Sequence, residues 1–378
     1  MSIRKSPERT RAILVSLDIG PKDDGERAAE AVRLVDSAGA KVMEVIRGRR
    51  DRPDAKTFAG SGKVQEIQDA SRLHDAQVIV FDRELSAAQV RNLERALSEG
   101  GKEVLVYDRT DIILDIFAQR ARSHEGKLQI ELARLEHLST RLVRGWTHLE
   151  RQRGSLGKTG GPGEKQIELD RRMIGEKVKK LKERIAKVGR VRETQRARRS
   201  RSGVLRVAIV GYTNAGKTTL FNRVAQSKGY AADQLFATLD TTTRRVYLGE
   251  NANITLSDTV GFIRDLPHTL VDAFRATLEE SVEADLLLHV VDAASASRDE
   301  QIAAVNTVLE EIGADDVPQV IVLNQIDRVP GMAPEVVRDS SGNILNIKVS
   351  ALTGAGIDGL RDALAEVARN EGSLPTAA

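Results

Sequence analysis

The chain has no cysteine among its 378 residues, which excludes a disulfide framework and any cysteine-ligated zinc site. It has no run of eighteen apolar residues either, so no transmembrane helix is expected. The charged opening MSIRKSPERTR leads into no long apolar segment and does not read as a secretory signal. A cytoplasmic protein is the expectation, long enough for two or three domains with full cores.

Charge, by contrast, is abundant and uneven. Residues 121–202 hold 23 Lys/Arg against 10 Asp/Glu, while the whole chain balances at only +3. A basic block of that size suggests a polyanionic partner, nucleic acid first, against the plainer reading of a solvated helix face. Within the block, Leu128, Leu132, Leu135, Leu138, Leu142, Trp146 and Leu149 recur at steps of three and four, as do Ile174, Val178, Leu181, Ile185 and Val188. Each set is a narrow apolar seam on a long helix. Between them, residues 153–163 read RGSLGKTGGPG, whose five glycines and one proline no helix tolerates. The pattern predicts an antiparallel helical hairpin with a glycine-rich tip at 152–163. That tip is longer than a turn needs and is flanked by Arg151, Arg153, Lys158 and Lys165, a form suited to entering a groove in RNA. The seams fit each other and leave no spare apolar face for a bilayer. Trp146 lies in the seam register and is read as core rather than as a base-stacking residue.

The blocks on either side alternate strand and helix. Strand-like stretches at 11–17, 41–46, 77–81 and 103–107, with helices near 24–38, 62–73 and 86–100, predict a small α/β layer. The AGSGK of residues 59–63 imitates a phosphate loop but lacks its spacing and a preceding strand, so it is read as a turn. Strands at 205–210, 253–258, 285–291, 319–323 and 346–349 predict a doubly wound sheet of P-loop type, which binds ligands beyond the carboxyl ends of its strands. The expected division is a flexible segment at 1–9, an N-terminal α/β subdomain at 10–115, the basic hairpin at 116–202, a nucleotide-binding domain at 203–368 and a flexible tail at 369–378.

Chemistry is concentrated in the nucleotide-binding domain. Residues 211–218 read GYTNAGKT and fill the pattern G-x-x-x-x-G-K-[ST]. A glycine-rich turn opening a helix aims backbone N–H groups at phosphates, with Lys217 reaching the β/γ-phosphates and Thr218 meeting Mg²⁺. Asp258-Thr-Val-Gly261 follows a strand, which places Asp258 for Mg²⁺ through water and the Gly261 N–H for a γ-phosphate. Asn324-Gln-Ile-Asp327 ends another strand, and Asp327 could accept from guanine N1–H and N2–H₂, a donor pattern adenine lacks. Ser350-Ala-Leu352 ends the next and could offer an N–H to guanine O6. The order and spacing are those of a GTPase domain.

Some positions depart from that pattern. Gln325 stands where a lysine usually packs over the base and ties into the phosphate loop, so weaker affinity with retained specificity is expected. Thr238 and Thr241 to Thr243 all qualify as the ligand that completes the Mg²⁺ shell when the γ-phosphate is present. Phe262 occupies the position where Ras-like enzymes carry a water-orienting glutamine, so slow intrinsic hydrolysis, open to stimulation by a partner, is expected. Asn214 matches the asparagine of potassium-activated GTPases and could hold K⁺ against the phosphates, with loop packing as the alternative. No residue is assigned as a catalytic base.

The segments GPGEKQIELDRR (161–172), FATLD (236–240) and YDRTDIILDIF (107–117), with the phosphate loop, resemble the HflX family of translational GTPases over nearly the full chain. Lys165 and Thr241 depart mildly from the family's usual Thr and Pro. The resemblance implies a protein that binds the 50S ribosomal subunit and its rRNA and hydrolyses GTP faster there. It implies splitting or rescue of stalled ribosomes under stress, with the hairpin tip reaching toward the peptidyl-transferase centre. It also assigns the switch ligand for Mg²⁺ to Thr238. The candidate GTP- and GDP-binding set is then Gly211, Tyr212, Thr213, Asn214, Ala215, Gly216, Lys217 and Thr218; Phe236, Ala237, Thr238, Leu239 and Asp240; Asp258, Thr259, Val260 and Gly261; Asn324, Gln325, Ile326 and Asp327; and Ser350, Ala351 and Leu352. Mg²⁺ is the expected cofactor, at Thr218, Thr238 and, through water, Asp258, with K⁺ a second candidate. A monomer without a DNA partner is expected. The competing readings are a GTPase acting on another RNA or an assembly intermediate, and a regulator held peripherally at a membrane or on a protease.

Overall fold

The computed structural model describes residues 10–20, 25–98, 103–144, 169, 171–188, 204–226, 235–236, 238–249, 252–265, 267, 270–271 and 278–369. The expected tip at 152–163, Trp146, Leu149, Ala237, and residues 1–9 and 370–378 of the terminal segments lie outside them, while Arg369, expected in the tail, closes the last helix. Two compact units are formed, one from residues 1–119 with 130–183 and the other from 120–129 with 184–378.

The first unit is built on a parallel sheet of β1 (Thr10–Ile19), β2 (Ala40–Arg50), β3 (Val78–Phe81) and β4 (Leu105–Tyr107), in the order β2-β1-β3-β4. The crossovers that parallel strands require are α1 (Glu26–Ser37), α2 (Ser61–Leu73) and α3 (Ala87–Leu97). β1 is buried on both faces through its middle, and Ile13, Val15, Ile67, Ile79, Phe81 and Leu93 centre the core. Of residues 59–63, expected as a turn, Gly60 caps α2 and Ser61 to Lys63 form its first turn; Lys63 Nζ donates to Arg47 O at 2.9 Å and pairs with Glu66 at 2.7 Å, so this lysine is engaged locally.

One helix of this unit is not predicted by the pattern. α4 (Arg109–Arg120) buries Ile112, Ile113, Leu114, Ile116 and Phe117 around its whole circumference, so no 3.6-residue stripe marks it. α5 (His124–Arg144) and α6 (171–188) are the two arms of the hairpin. On α6 the seam is clean: Leu181 is buried, Ile174, Val178, Ile185 and Val188 are half-buried, and all eight Lys and Arg side chains are exposed. Lys182 pairs across the hairpin with Glu136 on α5 at 2.8 Å. α5 departs from the expected seam, because Leu128 and Leu132 are buried but Leu138 is 46% exposed. α5 is instead fixed to α4 by charge: Arg134 pairs with Asp115, and Arg141 with Asp108 at 2.9 Å and Asp111 at 2.6 Å. These arginines, counted in the basic surplus, serve internal pairing.

The second unit carries a seven-stranded sheet of β5 (Leu205–Gly211), β6 (Thr242–Gly249), β7 (Ala252–Asp258), β8 (Leu286–Asp292), β9 (Gln319–Asn324), β10 (Glu335–Arg338) and β11 (Ile344–Lys348). Its order is β10-β11-β9-β8-β5-β7-β6. The five predicted strands form the parallel interior, while β6 and β10 pair antiparallel at the two edges. Both edge strands escape prediction because most of their residues stay exposed or half-buried, which leaves little apolar pattern to read. α7 (Lys217–Val224), α8 (Arg298–Ile312) and α9 (Ile357–Arg369) cover the sheet over a core that includes Ile209, Leu220, Leu256, Leu288 and Leu360. β5, β7 and β9 end at Gly211, Asp258 and Asn324, on the carboxyl edge where such sheets bind ligands.

Candidate nucleotide site

The phosphate loop runs directly from β5 into α7. Gly216 caps that helix with φ 92°, a left-handed conformation that a side chain resists, and a Cβ there would meet Asn324 Nδ2 at 2.3 Å. Lys217 is buried, and its Nζ donates to the Gly211 carbonyl at 2.9 Å and the Tyr212 carbonyl at 2.8 Å. Burial lowers its pKa from 10.5 to about 8, against the pull of the Asp258 charge. An ammonium held this way sits ready for an anion that would restore its ordinary basicity.

Three oxygens converge beside it. Thr218 Oγ1 and Thr238 Oγ1 each lie 2.8 Å from Asp258 Oδ2 and 2.7 Å from each other. With the carboxylate ionised, two hydroxyl protons must serve three short contacts. The other carboxylate oxygen, Asp258 Oδ1, is buried without a hydrogen-bond partner among the described residues. Burial pushes the Asp258 carboxyl up, while hydrogen bonds from Thr218 and Thr238 and the Lys217 charge draw it down. Hard oxygen donors with surplus lone pairs and an orphaned carboxylate oxygen fit a small divalent cation such as Mg²⁺. Thr238 is thus the threonine that meets the phosphate loop, whereas Thr242 and Thr243 belong to β6.

The DxxG segment is locked to the loop by its backbone. Thr213 N–H donates to Phe262 O at 2.7 Å and Phe262 N–H to Gly211 O at 3.2 Å. The Phe262 ring is fully buried, so it packs the floor and offers nothing to a water molecule. Thr259 is likewise structural: its hydroxyl donates to Ile209 O at 2.6 Å.

At the base-reading end, Asn324 Nδ2 donates to Ala215 O at 2.8 Å and Asn324 Oδ1 accepts from Ala351 N–H at 2.9 Å. Both ends of that amide are therefore engaged in clasping the loops together. Gln325 reaches the phosphate loop despite its short stem, Nε2 donating to Asn214 O at 3.1 Å. Asp327 is exposed, with Oδ1 accepting from Ser350 Oγ at 2.5 Å. The Ser350 N–H goes to Ala355 O, and that of Ala351 to Asn324. The sequence pattern gave no sign of Arg223, whose guanidinium donates to the carbonyls of Ala351 at 3.0 Å and Leu352 at 2.6 Å and sets that loop. Leu235, Phe236 and Leu239 are buried, and Phe236 has φ 55°. The Asp240 carboxylate is not brought to this pocket; it meets the residues before α5 instead.

A family described as "50S ribosome-binding GTPase" matches residues 206–325, "GTP-binding GTPase N-terminal" matches 25–118, and "GTP-binding GTPase Middle Region" matches 120–199. The GTPase HflX of Escherichia coli K12 is 51% identical over 356 residues, 94% of this chain and 82% of that protein. The GTPase HflX of Lacrimispora saccharolytica is 44% identical over 96% of this chain and 84% of its own length. Among solved structures, the complex of SsGBP with GDP superposes with a TM-score of 0.53 at 25% identity, covering 96% of this chain and 99% of that one.

Proposed function

The chain belongs to the HflX family of GTPases and hydrolyses GTP, and from that premise we propose that its hydrolysis is timed by the large ribosomal subunit, which it helps to split from stalled ribosomes. The observation that carries the nucleotide half of this reading is the convergence of Thr218, Thr238 and Asp258 on one point beside a buried, depressed Lys217. In this reading the N–H groups of Asn214 and of Gly216 to Thr218, with the Lys217 ammonium, receive the phosphates, the Thr213 and Ala215 N–H groups being engaged within the protein. Thr218, Thr238 and Asp258 are the residues that would hold Mg²⁺. Bound there, Mg²⁺ would supply positive charge against the γ-phosphate oxygens. Asp327 reads guanine, while Asn324, Gln325 and Ser350 keep the base pocket in shape. Asn214, whose side chain is exposed, is available to a K⁺ ion at the phosphates.

The partner-dependence follows from Phe262. A fully buried ring stands where a water-orienting side chain is needed, so no group of this segment positions the attacking water. The polyanionic partner is supported by α6, which displays eight exposed cations against two glutamates along a single helix. We assign residues 203–368 to the GTPase domain, 116–202 to the ribosome-facing hairpin and 10–115 to a supporting α/β subdomain, acting as a monomer in the cytoplasm. The test is sedimentation of the protein with purified 50S and 30S subunits in the presence of a GTP analogue or GDP. Analogue-dependent association with 50S and faster hydrolysis on it are expected. Absence of both would remove the ribosome from the mechanism and favour another RNA partner.

A further inference from the structure

Asp240 lies two residues beyond Thr238, yet its carboxylate faces a helix end. It accepts from the backbone N–H of Arg122 at 2.7 Å and of Ser123 at 2.8 Å, and from the Ser123 hydroxyl at 2.5 Å. Ser123 immediately precedes α5, and its hydroxyl also accepts from the Gly126 N–H at 2.9 Å, as an N-cap residue does. The carboxylate therefore occupies the positive end of a 21-residue helix, where N–H groups lack intrahelical partners and the dipole favours an anion. Gly126 is part of the fit, since a Cβ there would stand 2.6 Å from Asp240 Oδ1 and 2.9 Å from Ser123 Oγ. Residues 120–129 and Asp240 belong to the same compact unit as the nucleotide site.

Leu239, the one residue between Thr238 and Asp240, is buried, so the connection has little slack. We propose that Asp240 is a positioning residue for the metal site: anchored on the N-terminus of α5, it holds the Thr238 hydroxyl beside Thr218 and Asp258. It is not a nucleotide contact. The same anchor hands any displacement of the start of α5 to the switch threonine. The inference rests on Thr238 being the ligand engaged only when a γ-phosphate is present.

That dependence supplies the test, because GDP does not call on Thr238 and a GTP analogue does. The full chain and its Ser123→Ala, Gly126→Ala and Asp240→Asn variants are titrated with a non-hydrolysable GTP analogue and with GDP, both with Mg²⁺. Each variant should lose about tenfold in analogue affinity, the worth of one charge-assisted hydrogen bond, while GDP affinity stays within about twofold. A variant that merely loosened the fold would lose both in parallel, and that result, or an unchanged analogue-to-GDP ratio, overturns the proposal. Thr238→Ala separates the two layers of the argument. If it lowers the ratio and the three anchor variants do not, the anchor fails while the site reading stands. If Thr238→Ala leaves the ratio unchanged, the assignment of Thr238 falls and the anchor falls with it.

Discussion

Replacing Lys217 by methionine keeps the length of the side chain and removes its charge, and the structure gives the sign and size of what should follow without nucleotide. The folded-state pKa is depressed from 10.5 to about 8 by burial. Between those two values the unfolded chain binds more protons at this position than the folded one, so stability rises with pH through that window. From pH 7 to pH 9.5 the wild type should gain about 2 kcal/mol relative to Lys217→Met, which has no such group to titrate. The comparison cancels the other titrating residues common to both proteins. Urea unfolding of the nucleotide-free chain, followed by circular dichroism at the two pH values, measures the difference. The relevant transition is the one that GDP moves to higher urea in the wild type. The variant should not respond to GDP, and wild-type GDP affinity should weaken above pH 8 as the ammonium loses its proton. Parallel pH dependences in the two proteins would show that the lysine is not held as a desolvated charge, and the reasoning would fail.

Phe262→Gln should not restore a water-orienting glutamine, because the side chain at this position is fully buried. The expected result is a loss of about 3 kcal/mol in stability with no gain in kcat, and a stable variant with tenfold faster intrinsic hydrolysis would refute it. Exchanging K⁺ for Na⁺ at constant ionic strength should slow hydrolysis if Asn214 holds a cation, and equal rates would return that asparagine to loop packing. The triple change Lys177→Glu, Lys179→Glu and Lys180→Glu on the exposed face of α6 should weaken 50S binding and flatten its salt dependence, with the intrinsic rate unchanged. Undiminished binding by that protein would make the α6 charges a solvated face after all.

The parts of the fold legible in the sequence are those where burial follows a simple period. β5, β8 and β9 read as apolar runs because parallel interior strands are covered on both faces. α6 reads as a seam because only one side of it is covered. α4 is hidden for the opposite reason, since it is covered all round and its isoleucines carry no stripe. β6 and β10 are hidden because, as edge strands, they bury too little. Long-range ion pairing is also silent in the chain: nothing in the spacing of Arg134 or Arg141 says that Asp115, Asp108 and Asp111 are waiting for them.

The same limit explains what the motifs reveal about the site. A motif fixes which backbone stretch approaches the ligand, because the turn geometry and the strand ends are local properties. It does not fix what each side chain in the stretch touches. Within five residues of one segment, Phe236 and Leu239 are buried in the protein, Thr238 joins the oxygen cluster, and Asp240 caps a helix that begins 116 residues earlier in the chain. Asn324 presents a similar case, for its amide bridges Ala215 and Ala351 and so ties the phosphate loop to the loop after β11. Residues that bind through their neighbours look identical, in sequence, to residues that bind directly. Asp258 differs from both in one respect: Asn324 and Asp240 tie segments of the protein together, whereas Asp258 Oδ1 has no hydrogen-bond partner among the described residues.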